Sequence, residues 1–196
     1  EELIAPLLVG RDPLRRNALC GLMHRALTGN SFTKSAIEMA LWDLQGKALN
    51  CPVHELLGGA VRGVIPMKMV VGAFPVDQAL SLAERFLDWG AKCLKVKVGL
   101  DPVEDLARVA SVRKLAGPDI KIGIDANCGW SLPEARDMLD RMEPFDILFA
   151  EQPIGRDQAY DMATLRSASK IPIMADEDVF TIQDASRIAS AHAADI

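Results

Sequence analysis

From Ile65 onward the chain alternates short apolar runs with amphipathic stretches, and this alternation restricts the fold more than any other feature. The runs 65–72, 93–99, 121–127, 147–153 and 171–177 read as strands, and 76–89, 103–115, 132–142, 158–168 and 182–193 read as helices. Strands separated by helices lie parallel, joined by right-handed crossovers. Asp125, Glu151 and Asp176 stand near the ends of three successive strands, 26 and then 25 residues apart, one strand-plus-helix unit each. No G-x-G-x-x-G follows the first strand, as it would in a dinucleotide-binding sheet. Polar residues gather instead at C-terminal strand ends, where barrel enzymes place their chemistry. The expected fold is therefore α/β: a partial (β/α) TIM-type barrel of about five strands, with the start of a sixth at Ala194-Asp195-Ile196. Residues 64–196 are expected to be the first part of this barrel, truncated in mid-repeat.

Residues 1–63 are patterned differently, as helices throughout. Arg11-Asp12-Pro13 reads as a turn into a helix. Ser31 is placed to cap a longer helix whose Ala36, Ile37, Ala40, Leu41 and Leu44 recur at helical spacing, and Asn50-Cys51-Pro52 ends it. His24 and His54 are isolated and belong to no constellation.

The strand Cys93–Gly99 carries the first chemical signal. Alternation puts Leu94, Val96 and Val98 on one face and Cys93, Lys95, Lys97 and Gly99 on the other. Two ammonium groups one pleat apart repel unless an anion lies near them. Asp125, Asn127, Glu151 and Asp176 are the candidates to supply it. Taken singly, an acid at a strand end is read as a helix cap and a lysine pair as edge protection. Three acids at matching positions, with the lysines, suit a hard divalent cation, Mg²⁺ or Mn²⁺. A cation beside a lysine is equipment for removing a proton next to a carboxylate. Lys97, nearer the strand end, is the candidate base; Lys95, one pleat deeper, assists it and holds the substrate carboxylate.

The motifs Lys95-Val96-Lys97, Asp125-Ala126-Asn127, Glu151-Gln152-Pro153 and Ala175-Asp176-Glu177 resemble those of the muconate lactonizing enzyme branch of the enolase superfamily. Lys34–Asp43 and Glu55-Leu56-Leu57-Gly58-Gly59 resemble the helices of its capping domain leading into the barrel. The resemblance implies that residues 1–63 are the C-terminal helical part of an incomplete α+β capping domain. It implies Asp125, Glu151 and Asp176 as ligands of Mg²⁺ or Mn²⁺, Lys97 as acid/base with Lys95 beside it, and Asn127 and Glu177 supporting them. A lysine base with bound Mg²⁺ is a known arrangement of that superfamily. Asp178 stands where the branch often has serine. The branch's opposing lysine, on the sixth strand, would fall past Ile196, so the chain alone is expected to be incomplete and inactive.

Gly29–Ala36 looks most like the cycloisomerase group, so the expected activity is a muconate-type cycloisomerase acting through an enediolate. The alternatives on this scaffold are a racemase or epimerase of amino-acid derivatives or dipeptides, and a hydroxy-acid dehydratase. A non-catalytic barrel fragment is the alternative of another class. A phosphate-binding barrel would need a Gly-rich loop after later strands than this chain holds. The expected partner is a small carboxylate substrate, and the resemblance implies a homo-oligomer when full length. A net charge of -5 offers no basic footprint for nucleic acid or an acidic membrane, and no apolar run has spanning length. The four scattered cysteines are read as reduced thiols of a cytoplasmic protein.

Overall fold

The computed structural model describes residues 2–196. These form two compact units, one ending at Ile65 and the other spanning Pro66–Ile196.

The first unit is helical: α1 (Ala5–Leu8), α2 (Arg16–Ala26), α3 (Ser31–Leu49) and α4 (Val53–Leu56). Asparagines bound α3 at both ends, Asn30 at φ 53° and Asn50 at φ 50°. The left-handed region is one that asparagine tolerates better than most residues. Ser31, expected as the cap, is the first helical residue, and α3 begins without a side-chain cap. Arg16 ties α2 to α3, with its guanidinium 3.6 Å from the Trp42 ring centroid and 3.0 Å from Glu38 Oε1.

The second unit is a five-stranded parallel sheet in the order β1-β2-β3-β4-β5. Its elements follow in sequence as β1 (Met69–Val71), α5 (Val76–Asp88), β2 (Cys93–Lys97), α6 (Pro102–Ala116), β3 (Lys121–Asp125), α7 (Leu132–Met142), β4 (Ile147–Glu151), α8 (Ala159–Ala168), β5 (Ile173–Met174) and α9 (Ile182–Ser190). One sheet face is apolar: Leu94, Val96, Ile122, Ile124, Ala150 and Ile173 are buried in one core with Ala83, Val109, Val112, Met138 and Leu165 of the helices. Each large side chain removed from water there contributes about 1.5–3 kcal/mol. α6 and α7 begin as their sequences prescribe. Asp101 accepts from Val103 N and Glu104 N, and Ser131 forms a reciprocal capping box with Glu134.

β1 and β5 are shorter than the apolar runs that announced them. Pro66 and Pro172 lack the N–H a ladder needs. Beyond Met174 the N–H of Asp176 turns to the Gln152 side chain. At 194–196, where the start of a sixth strand is expected, the backbone bonds to β5 and its continuation without yet forming a regular strand: Asp195 N and Ile196 N donate to Ile173 O, and Ala175 N to Ile196 O. No helix among the described residues is long and apolar enough to cross a membrane.

Candidate active site

Strand register determines which side chains meet. Lys97 of β2 pairs with Asp125 of β3, and Asp125 with Glu151 of β4, so the three stand level at the C-terminal edge of the sheet. Levelling them requires an irregularity. Ile122 pairs with Ile147 but Ile124 with Ala150, so β4 carries one residue more than β3 over that interval. Such a bulge re-aims the side chains beyond it. Gly123 makes the second accommodation, because a Cβ there would stand 2.4 Å from the Phe149 ring.

The charges on this face are interlocked. Lys95 Nζ lies 2.7 Å from Asp125 Oδ2 and 2.5 Å from Glu151 Oε1. Lys97 Nζ donates to Asp125 Oδ2 at 2.7 Å and to Asn127 Oδ1 at 2.5 Å. Asp125 is fully buried, and Glu151 and Lys95 are nearly so. Burial alone would push the Asp125 carboxyl up, but hydrogen bonds and charge from Lys95, with Lys97 and the Asn127 N–H, hold it below the usual range. Burial likewise opposes the Lys95 ammonium, yet Asp125 and Glu151 together raise it above the ordinary lysine value. Lys95 is thus a committed cation.

Asp176 is more exposed. Its carboxyl is raised, first by partial burial and then by the charges of Glu177, Glu151 and Asp125. Asn127 turns back at φ 44°, takes its own N–H to Asp125 Oδ1, and donates Nδ2 to Glu177 Oε1 at 2.8 Å. Glu177 Oε2 is buried with no hydrogen-bond partner. Among the described residues no three Asp, Glu, His or Cys side chains form a ready cation cage. Two of the expected ligands, Asp125 and Glu151, converge instead on the Lys95 ammonium. Hard oxygen donors, the mutual repulsion raising Asp176 and the orphaned Glu177 oxygen all fit a divalent cation in this neighbourhood.

Three groups of residues carry this geometry without having been named as site residues from sequence. Lys68 donates to Glu151 Oε2 at 2.8 Å. Gln152, fully buried at φ 37°, accepts from Asp176 N and Asp178 N and donates to Ile154 O and Asp178 Oδ2. Asp178, noted only as a departure from a resembled motif, also accepts from Asp157 N at 2.7 Å, pinning the loop after β5 to the loop after β4. Asp105 accepts from Gly99 N and Leu100 N, while Arg108 bonds Asp105, Phe74 O and Lys97 O. The Asp105-Arg108 spacing of three, one helical turn, was the only local signal.

Consecutive parallel strands, each followed by a helix, with lysines and acids facing one another at their C-terminal ends, define a (β/α)-barrel protein of enolase type. Residues 78–196 match the family model described as enolase C-terminal domain-like. Residues 1–58 match the mandelate racemase / muconate lactonizing enzyme N-terminal domain. The chain belongs to the mandelate racemase / muconate lactonizing enzyme family of the enolase superfamily, in its muconate lactonizing branch, a family of enzymes. It is 33% identical to the L-Ala-D/L-Glu epimerase of Bacillus subtilis (strain 168), over 99% of this chain and 54% of that protein. It is 30% identical to a chloromuconate cycloisomerase of Pseudomonas putida, over 100% of this chain and 53% of the relative. The dipeptide epimerase of Cytophaga hutchinsonii, solved with Mg and D-Ala-L-Val, superposes with a TM-score of 0.89 at 33% identity, covering 99% of this chain and 53% of that one. The chain spans about half the length of the curated relatives it matches.

Proposed function

We propose that this face removes a proton alpha to the carboxylate of a small substrate, with Lys97 as the group that takes the proton. The supporting observation is the level row Lys97, Asp125 and Glu151, with the Lys95 ammonium set between the two acids. A divalent cation, Mg²⁺ or Mn²⁺, held by Asp125, Glu151 and Asp176, would offset the negative charge that builds on the substrate carboxylate as the proton leaves. Lys95, charged and nearly buried, supplies a fixed positive charge for that carboxylate. Asn127 Oδ1 orients the Lys97 ammonium, and Glu177 in turn holds Asn127.

The relatives divide between cycloisomerases and epimerases at similar identity, so the proposal is the step both would share, an enediolate formed from a carboxylate substrate. Its two finer forms use the lysine in opposite senses. In epimerisation of a dipeptide Lys97 takes the alpha proton. In muconate-type cycloisomerisation the enediolate forms as a carboxylate oxygen adds to the double bond, and Lys97 delivers the proton to the alpha carbon. The test is an assay in D₂O with Mg²⁺, following lactone formation from a muconate and deuterium entry at the alpha carbon of a dipeptide. The protein assayed over its relatives' full length should do one of these, and its Lys97→Met variant neither. Turnover that survives Lys97→Met would sink the assignment. Wild type inert to both substrates, with no thermal stabilisation by Mg²⁺, would favour a non-catalytic barrel fragment.

A further inference from the structure

Lys68 immediately precedes β1, whose Val70 pairs with Lys95 of β2. Alternation places Lys68 on the same face as Val70 and Lys95, one pleat below. From there its ammonium reaches Glu151 Oε2 at 2.8 Å and stands 5.0 Å from the Phe149 ring centroid. The two oxygens of Glu151 are thus divided: Oε1 faces Lys95, and Oε2 is held from beneath by Lys68. The buried pair Asp125 and Glu151 faces three ammoniums, those of Lys68, Lys95 and Lys97. Two of these have work above the sheet edge. Among the described residues, Lys68 bonds to these acids only through Glu151.

We infer that Lys68 sets how tightly this site holds its divalent cation, acting as a resident counter-ion that competes for the charge of Glu151. The inference rests on the cation reading given above. Without a cation, Lys68 keeps Glu151 aimed and compensated. With one, the ammonium and the dication would share a single carboxylate and repel, an effect that water at the 39% exposed Lys68 side chain reduces without abolishing. Lys68 is therefore a positioning residue whose removal tightens the cation, whereas damage to the fold would loosen it. The sign of the effect separates the two roles.

The experiment titrates Mg²⁺ calorimetrically into wild type, Lys68→Met, Lys68→Gln and Lys68→Arg, and follows thermal unfolding of each in chelator and in saturating Mg²⁺. Lys68→Met should bind Mg²⁺ about two- to fivefold more tightly. It should melt below wild type in chelator, with the gap narrowing in Mg²⁺. Lys68→Gln keeps a donor for Glu151 without the charge and should also tighten, so the result survives if the methionine variant does not fold. Lys68→Arg keeps the charge and should stay close to wild type. Wild type that binds Mg²⁺ while Lys68→Met and Lys68→Gln bind it equally or more weakly overturns this inference alone. Wild type that takes no Mg²⁺ overturns the cation reading, and this inference with it.

Discussion

Lys95 and Lys97 share a strand face and a carboxylate, yet their surroundings assign them different work. Lys95 is nearly buried between two acids that raise it, so it remains charged. Lys97 is more open and touches Asp125 and the neutral Asn127 amide. Replacing Lys97 by methionine should therefore not weaken Mg²⁺ binding, since it removes an ammonium paired with Asp125, but should slow alpha-proton exchange by about 10²–10⁴-fold, the usual contribution of a positioned acid/base. Parallel calorimetry and exchange kinetics would separate the two effects. Arg108 makes a stability prediction of the same kind. Its guanidinium satisfies a fully buried Asp105 and the carbonyls of Phe74 and Lys97. Arg108→Ala strands that carboxylate and should cost about 3–5 kcal/mol, read as a lowered urea midpoint.

At the level of elements, helices were more legible than strands. α7 was expected over 132–142 and forms there, because its capping box and amphipathic pattern are both local. β5 was expected over 171–177 and pairs only at Ile173–Met174, because the chain beyond is held by Gln152 of another strand end. α9 permits a test of a local rule. Thr181 accepts from Asp184 N, and Asp184 bonds back to Thr181. Thr181→Ala should cost about 1 kcal/mol at neutral pH. The Asp184 carboxyl is lowered, chiefly by the Thr181 hydroxyl, with smaller help from the Phe180 and Thr181 N–H groups and Arg187. A depressed folded pKa stabilises fully above the unfolded value and loses that contribution as pH falls through the folded one. The stability gap between wild type and Thr181→Ala should thus narrow as the pH is taken below about 4. Paired denaturation curves across that range check the sign.

For the whole chain, the succession of parallel strands could be read from sequence because each strand-helix unit is written locally. Lateral register could not. The Lys68–Glu151 contact joins residues 83 apart, and the β4 irregularity that levels Glu151 with Asp125 has no sequence signature of its own. Register also ranks the strands by how firmly they are held. β3 is paired on both sides, and its Ile122 and Ile124 are fully buried. β1 is paired with β2 alone among the described strands, and its Val70 is 42% exposed. Opening β1 breaks one ladder and uncovers one fully buried side chain, Val71, whereas opening β3 breaks two ladders and uncovers Ile122 and Ile124 at the centre of the core. Amide hydrogen exchange should follow that ranking: 121–125 exchanges slowest, 69–71 much faster, and 93–97 lies nearer the slow limit than β1. Equal protection of β1 and β3 would mean that the sheet opens only as a single unit and that pairing on one side or two makes no difference to it.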